Sequence, residues 1–230
     1  MSNHDYASQQ LSKVLSRIHN ACTEANRESH SVRLIGASKR QTPDLIRAFY
    51  DCGLKHTGEN YLQEALDKQA ELTDTRLEWH FIGQIQSNKT KLIANHFAWI
   101  HGIDRLKIAR RIVQHNEREQ QPKLLVQINI DDEDSKAGVA YSEAPDLCAQ
   151  IANLDGAQLV GFMLIPKAQT DSHAQRATFA KARELLSLTN QRHGLGMNEL
   201  SMGMSNDVES AIAEGSTMVR VGTDLFGARQ

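Results

Sequence analysis

The chain has few residues of the kinds that mark specialised protein classes. Aromatic residues make up 5% of its 230 residues, and it contains 4 prolines and 3 cysteines. An odd number of cysteines without metal-ligand spacing indicates reduced thiols rather than a disulfide framework, which favours a reducing compartment. The longest apolar stretch, around residues 159–166, is far too short to cross a bilayer. Because the first twenty residues also lack an apolar core of signal-peptide length, we expect a cytoplasmic protein.

The positive and negative charges of the chain are nearly balanced, which argues against nucleic-acid binding through a basic surface. The 26 Lys and Arg residues and 28 Asp and Glu residues give a formal net charge of −2, so no global basic field indicates nucleic-acid binding. The 10 histidines are scattered without the spacing of a zinc site, and no metal site is predicted. A hydrophobic content of 40% is typical of a folded globular protein. No linker-like segment divides the chain, so we expect one domain over residues 1–230.

Strand-like and helix-like segments alternate along the whole chain. Leu11, Val14, Leu15 and Ile18 lie at helical spacing and predict a long opening helix over residues 5–29. Apolar runs predict strands over residues 32–38, 54–58, 79–83, 97–102, 124–130, 159–165, 199–203 and 217–222. Helical patterns lie between them, over residues 43–52, 59–72, 87–95, 104–118, 145–154, 171–192 and 207–214.

This alternation predicts a parallel sheet of the α/β class, closed into a single (β/α)₈ TIM barrel. The chain ends soon after the eighth predicted strand, with no room for a long final helix. We therefore expect the opening helix to occupy the position of that final helix on the outside of the barrel.

Active sites of such barrels lie at the carboxyl ends of the strands, where Lys39 follows the first predicted strand. Alternation along the strand places Ile35, Ala37 and Lys39 on one face, which we take to be the inward face. A lysine beside apolar neighbours can lose its proton, because desolvation disfavours the charged form, and the neutral amine can form a Schiff base with a carbonyl. A solvated lysine at a strand end is the alternative.

Two C-terminal segments, residues 201–207 and 218–223, each read as a short strand that stops at a turn of Gly, Ser or Thr. Turns of this kind present backbone N–H groups and hydroxyls to an anion, and together they predict a phosphate cup near Lys39. Arg220 interrupts the apolar run of the last strand and must reach a ligand, water or a carboxylate. The alternatives are an ion pair inside the barrel, with Glu199 as partner, and an ordinary turn at Gly222.

Other polar residues at predicted strand ends can be interpreted either as ligand contacts or as structural residues. Asn60 can hydrogen-bond a phenolic or carbonyl oxygen of a ligand, or its own backbone. His80 and residues 86–89 form a polar cluster in which Ser87 reads mainly as a helix N-cap. The acidic run at residues 131–134 can bind a cation, although a solvated loop is the preferred interpretation.

These segments together resemble the pyridoxal phosphate homeostasis protein family, and the match covers nearly the whole chain. It rests on motifs that occur in the same order, at residues 35–39, 56–64, 79–89, 128–130, 135–138 and 161–163, and on the two C-terminal segments. Several long motifs in one order are specific in a way that a lone glycine pattern is not. One departure is clear. Many members have Ser-Lys-Thr-Lys at the first strand, whereas residues 38–41 here are Ser-Lys-Arg-Gln, so the second lysine is absent.

The resemblance implies a barrel like the N-terminal domain of bacterial alanine racemase, with pyridoxal 5′-phosphate (PLP) as cofactor. It implies that Lys39 holds PLP as an aldimine, that Arg220 faces the pyridine nitrogen, and that Asn60 lies beside the ring. The phosphate would be held by groups of the two C-terminal turns, namely Ser201, Gly222 and Thr223 with the backbone near Met204 and Ser205. Lys136 matches a lysine implicated in the family as a second, exchangeable contact for the cofactor.

The site that the resemblance implies favours holding the cofactor over catalysis. An arginine at the pyridine nitrogen keeps the ring neutral, because its own pKa exceeds about 12, and a neutral ring stabilises a carbanion poorly. Racemases of this fold also need an opposing tyrosine, and none of Tyr6, Tyr50, Tyr61 and Tyr141 is convincingly placed at a strand end.

We therefore predict a non-enzymatic, monomeric PLP-binding protein that buffers the cofactor or delivers it to apoenzymes. A weakly active amino-acid racemase or another PLP enzyme, a Schiff-base aldolase acting on a phosphosugar, and a scaffold protein without a ligand are the alternatives.

Overall fold

Parallel strands run through the computed structural model, which describes residues 1–131 and 137–227. The strands in the described residues are β1 Arg33–Ala37, β2 His56–Glu59, β3 Glu78–Phe81, β4 Trp99–Ile103, β5 Lys123–Asn129, β6 Val139–Ala140, β7 Gln158–Leu164, β8 Glu199–Ser201 and β9 Met218–Val221. The helices are α1 Asn3–Glu24, α2 Pro43–Asp51, α3 Leu62–Glu71, α4 Thr90–His96, α5 Leu106–His115, α6 Ala144–Ala152, α7 Ser172–His193, α8 Val208–Ala213 and α9 Thr223–Phe226.

Eight of these strands close into a barrel in the order β1, β2, β3, β4, β5, β7, β8, β9, and β9 pairs again with β1. Every strand pair among the described residues is parallel, and Ile35 of β1 has His56 on one side and Arg220 on the other. The predicted (β/α)₈ barrel is confirmed. The two-residue strand β6, which pairs with the end of β5, was not predicted, because two residues carry no readable alternation.

Helix α1 lies on the outside of the barrel beside the first and last strands, as expected. A reciprocal capping box between Ser2 and Asp5 starts the helix. Its buried face packs against α2, α8 and α9, and the last of these is a single turn. Phe226 of that turn packs edge-on against Phe49 of α2, with ring centroids 4.7 Å apart, and this contact closes the outer layer where the chain returns to its start.

The main apolar core lies between the outer faces of the strands and the surrounding helices. Inside the barrel, a smaller apolar layer is formed by Ile35, Trp99, Leu125, Met163 and Met218. Polar side chains continue the interior above this layer, and they include the fully buried Ser201, His80 and His101. The interior of the barrel therefore has one layer of apolar side chains and a neighbouring layer of hydrogen-bonded polar side chains.

Two local predictions are wrong. The third helix begins at Leu62 rather than at residue 59, because Glu59 is the last residue of β2 and its side chain is fully buried. Ser87 is not a helix N-cap. It opens a 3₁₀ turn, makes no side-chain cap bond, and accepts the Thr90 hydroxyl at its carbonyl instead. Among the residues that the structure describes, no helix is both long and apolar enough to cross a membrane.

Candidate functional site

A cavity of about 590 Å³ opens at the carboxyl ends of the strands. It is lined by seven of the eight predicted site residues: Lys39, Asn60, Met204, Ser205, Arg220, Gly222 and Thr223. They come from the ends of β1, β2 and β9 and from the loop after β8. The fold therefore brings together residues that are separated by up to 184 positions in the sequence, from Lys39 to Thr223.

Arg220 is the most buried charged group of the cavity, with 4% of its surface exposed. Its guanidinium donates to the Ser201 carbonyl at 2.6 Å, to the Ser201 hydroxyl at 2.7 Å and to the Leu164 carbonyl at 2.8 Å. The proposed ion pair with Glu199 is wrong, since Glu199 is bonded to other partners at the opposite end of the strands. Burial lowers the pKa of Arg220 to about 10, opposed by the charge of Asp207, so the guanidinium stays protonated at neutral pH.

Ser201 is the one predicted phosphate ligand that does not line the cavity. It is fully buried, and its hydroxyl joins the Arg220 guanidinium to the His101 ring. Alternation along β8 turns this side chain into the barrel interior, below the mouth. The hydroxyl thus helps to hold Arg220 in place, and the role of Ser201 as a phosphate ligand stays a prediction.

A chain of hydrogen bonds runs from Arg220 through the barrel. The His101 Nδ1 lies 2.9 Å from the Ser201 hydroxyl, His101 Nε2 lies 3.0 Å from His80 Nδ1, and His80 Nε2 lies 3.2 Å from His56 Nδ1. Arginine can only donate, so the arrangement that leaves no buried hydroxyl proton without an acceptor has Ser201 donating to His101. His101 then donates to His80, and His80 donates to His56. One buried cation thus fixes the tautomer of three neutral rings.

Burial is the main reason that these rings stay neutral. It lowers the pKa of His80 and of His101 well below the usual histidine value, and the nearby positive charge of Arg220 lowers that of His101 further. No pattern along the sequence indicates this hydrogen-bonded chain, because its members lie on separate strands and only the parallel register places them side by side.

The outer end of the chain also brings possible metal ligands together. Ligand atoms of His56, Glu78 and His80 lie within 4.8 Å of one another. However, the tautomers derived above place a proton on the His80 nitrogen that points toward His56, and the charges of Arg33 and Lys123 oppose a cation there. We therefore assign no metal to this group.

A buried lysine, Lys68 of α3, and its partner Glu64 hold the turn that carries Lys39. The Lys68 ammonium donates to the Ser38 carbonyl at 2.7 Å, to Glu59 at 2.7 Å and to Glu64 at 2.6 Å. The residue after Lys39, Arg40, has a positive φ of 63°, and its N–H donates to the same Glu64 carboxylate. This strained backbone conformation is thus tied to the same ion-pair network that holds the residue before Lys39.

The fully buried Glu59 carboxylate pairs with Lys68 and so offsets the cost of burying the ammonium charge. One of its carboxylate oxygens accepts from both Lys68 and the Ser38 hydroxyl, whereas the other has no hydrogen-bond partner among the described residues. Burial raises the pKa of Glu59, and the charge of Lys68 opposes that rise. Lys68 and Glu59 are not among the predicted site residues, because the ion pair that joins α3 to the end of β2 leaves no pattern along the sequence.

Asn60 lines the cavity, and its side-chain oxygen is buried without a hydrogen-bond partner in the part of the chain that the structure describes. A bond from this oxygen to its own backbone, the alternative reading, is therefore not seen. The position depends on Gly83, where a side-chain carbon would lie 2.2 Å from the Asn60 carbonyl oxygen. The orphaned oxygen is an acceptor that a ligand hydroxyl or N–H could satisfy.

The predicted phosphate end of the cavity is formed by two turns. One contains Ser205 and follows β8, and the other contains Gly222 and Thr223 and follows β9. The Met204 N–H, expected to face a phosphate, instead donates to a carboxylate oxygen of Asp207 at 2.6 Å. Neutral hydroxyl and backbone groups remain for an anion.

Two predictions concern residues that the structure does not cover fully. Lys136 lies outside the described residues, and so does most of the acidic run at residues 131–134. Its first member, Asp131, accepts the backbone N–H of Lys167 at 2.6 Å.

Comparison with known proteins decides the family. Residues 17–230 match the family described as alanine racemase, N-terminal domain. The chain is 47% identical over 220 residues to the pyridoxal phosphate homeostasis protein of Pseudomonas aeruginosa, covering 95% of this chain and 94% of the relative. The corresponding protein of Escherichia coli K12 is 42% identical, with 95% of each chain covered. This chain belongs to the pyridoxal phosphate homeostasis protein family.

Solved structures agree with this family membership. The structure of PipY of Synechococcus elongatus with PLP bound has a TM-score of 0.85 and 36% identity to this pyridoxal phosphate homeostasis family member, covering 96% of this chain and all of PipY. Alanine racemase of Corynebacterium glutamicum has a TM-score of 0.75 at 14% identity, covering 98% of this chain and 62% of the racemase. The second likeness shows the fold alone.

The buried ion pair yields a first prediction. Replacing Lys68 with methionine removes the counter-charge of the buried Glu59 carboxyl, so we expect the free energy of unfolding to fall by about 3–5 kcal/mol. Chemical denaturation measures this change. Lys91→Met is the matched control, because Lys91 is 62% exposed and its pair with Glu117 is worth about 1 kcal/mol or less. Equal losses in the two variants would contradict the role given to Lys68.

The histidine chain yields a second prediction. Below a pH of about 6.5 an unfolded histidine binds a proton, whereas the buried His101 does not, so stability is lost as the pH falls. For a histidine that stays neutral in the folded protein, the loss between pH 6.5 and pH 5 is at most about 2 kcal/mol. The pH dependence of the unfolding free energy should therefore be smaller in His101→Gln by up to that amount. His4→Gln, which removes an exposed histidine outside the buried chain, is the control, and an unaltered pH dependence in His101→Gln would refute the assignment.

Proposed function

We propose that this protein binds PLP covalently through Lys39 and serves to hold and hand over the cofactor. The observation that carries the proposal is the convergence of Lys39, Asn60 and Arg220 on one cavity, in a chain whose relative PipY has been solved with PLP bound. When bound, PLP supplies an aldehyde that reacts with amines. The protein's part is to bind, orient and release it.

The residues of the cavity fit the cofactor. Lys39 supplies the amine, and the orphaned oxygen of Asn60 supplies an acceptor beside it. The turns at Ser205 and Thr223 supply hydroxyl and backbone donors for the phosphate. Arg220, fixed by its bonds to Ser201 and Leu164, supplies a rigid positive group at the inner end of the cavity.

Arg220 also supports a carrier over an amino-acid enzyme. Its pKa of about 10 keeps it charged at neutral pH, so it cannot protonate a pyridine nitrogen that faces it. An unprotonated ring withdraws electrons weakly and favours little carbanion chemistry.

The tyrosines support the same choice. None of Tyr6, Tyr50, Tyr61 and Tyr141 is among the described residues that line the cavity. A racemase needs an acid or base on each face of its substrate, and Lys39 alone serves one face. The racemase alternative is thus the weaker one.

The open mouth of the cavity also indicates which partners can reach the cofactor. The cavity mouth is open at the ends of the strands, which gives small amines and PLP-requiring apoenzymes access to Lys39. We infer that the protein buffers or delivers PLP in the cytoplasm as a monomer built on one barrel domain.

Replacing Lys39 with alanine tests the covalent bond. We expect wild-type protein incubated with PLP to absorb visible light and, after borohydride reduction and peptide mapping, to carry a pyridoxyl group on Lys39. Lys39→Ala should lose this adduct while its circular dichroism and unfolding midpoint stay close to wild type, because the side chain lies in the cavity. Lys167→Ala, at an exposed position beside the mouth, should keep the adduct. An adduct retained in Lys39→Ala would place the bond on another lysine.

Replacing Thr223 with valine tests the phosphate end. The change removes a hydroxyl donor at nearly constant volume, so PLP binding should weaken about tenfold, as expected for loss of a hydrogen bond to a charged group. Pyridoxal lacks the phosphate and serves as the internal control, and its affinity should change little. Equal weakening of both ligands, measured by equilibrium titration, would show that Thr223 does not contact the phosphate.

A further inference from the structure

The phosphate end of the cavity contains a carboxylate, that of Asp207. One of its oxygens accepts the Met204 N–H at 2.6 Å, and the Asp207 N–H donates to the Met204 carbonyl at 3.0 Å. The turn from Met204 to Asp207 is therefore closed by two hydrogen bonds. A backbone donor that an incoming anion would use is already taken by an anion of the protein itself.

The charges around Asp207 leave it poorly neutralised toward the cavity. Arg220 attracts it, but the guanidinium is committed to Ser201 and to a backbone carbonyl. Arg17 also faces it from α1 and is bonded to the carboxylates of Glu209 and Asp224.

The cavity itself contributes few positive groups. Among the described residues that line it, the cationic ones are Lys39 and Arg220, and Asp207 is the one carboxylate. A phosphate between the two turns would thus meet neutral donors and one negative charge.

We propose that Asp207 limits the affinity of the cavity for the phosphate group and thereby speeds the release of a phosphorylated cofactor. The inference rests on the proposed function, since it concerns the same PLP site. Two effects act in one direction: the carboxylate repels a phosphate, and it competes with the phosphate for the Met204 N–H. A protein that hands its cofactor over benefits from such a group, whereas a protein that retains it does not.

The substitution Asp207→Asn isolates the charge. The amide keeps an oxygen that can accept the Met204 N–H and has nearly the same shape. We expect the Kd for PLP to fall at least fivefold and PLP dissociation to slow correspondingly, while the Kd for pyridoxal stays within twofold of wild type. Asp224→Asn is the matched control, because it removes an equal charge from a neighbouring carboxylate that does not line the cavity and is bound by Arg17. This control should leave both affinities unchanged.

The pH dependence gives a second readout. Burial raises the pKa of Asp207, so the wild-type carboxyl gains a proton more readily than an exposed one. The ratio of the wild-type Kd to the Asp207→Asn Kd for PLP should therefore shrink toward one as the pH is lowered. A ratio that stays constant with pH would overturn the electrostatic explanation.

The remaining outcomes separate the two proposals. Weaker or unchanged PLP binding in Asp207→Asn, or equal tightening of PLP and pyridoxal, would refute the role of Asp207 while leaving PLP binding at Lys39 intact. Wild-type protein that forms no adduct would refute the proposed function. In that case, displacement of a bound anion probe by inorganic phosphate, compared in wild type and Asp207→Asn, still tests the phosphate end alone. If Asp207→Asn does not fold, Asp207→Ser, which also removes the charge and keeps an oxygen, takes its place with the same expected result.

Discussion

The buried guanidinium of Arg220 is the interaction on which the polar interior of this barrel depends. It donates to groups of β7 and β8 while it is itself part of β9, and so it ties three adjacent strands together below the cavity. Burying a charge is costly unless its hydrogen bonds are made, and here three are made, to two backbone carbonyls and one hydroxyl. Because arginine never accepts a hydrogen bond, this one residue also sets the direction of every bond in the histidine chain that starts at Ser201.

A second buried cation has a corresponding role on the other side of the cavity. Lys68 reaches from α3 to the carbonyl that precedes Lys39, and its partner Glu64 binds the N–H that follows Lys39. Lys39, the proposed site of the covalent bond, is thus carried on a turn whose two flanks share one ion-pair network. Rigid support of this kind matters for a covalent site, since it limits the positions that the amine can reach. The two cations hold the walls of the cavity, and neither depends on the ligand.

The barrel could be predicted from the sequence because its strands are apolar runs at regular intervals, and because the motifs of residues 35–39 and 56–64 are specific to one family. The cavity residues could be predicted because strand ends are recognisable. The features that could not be predicted depend on the register of neighbouring strands and on the direction in which single side chains point. The position of the Ser201 side chain below the mouth could not be predicted, because a three-residue strand does not reveal which face its last side chain occupies. The histidine chain and Asp207 matter through partners on other strands or through a turn, and neither leaves a periodic signal.

The barrel alone does not decide between a carrier and an enzyme, since alanine racemase has the same fold at 14% identity and this chain covers 62% of it. The difference must lie in the groups that face the cofactor. A catalyst profits from a strong electron sink, a second acid or base and tight retention of the phosphate. The cavity described here has an arginine at its inner end that is protonated at neutral pH, no tyrosine among its described lining residues, and a carboxylate at its predicted phosphate end. Under the function proposed above, these features disfavour turnover, and the carboxylate weakens the hold on the phosphate. These are properties that exchange of a cofactor requires.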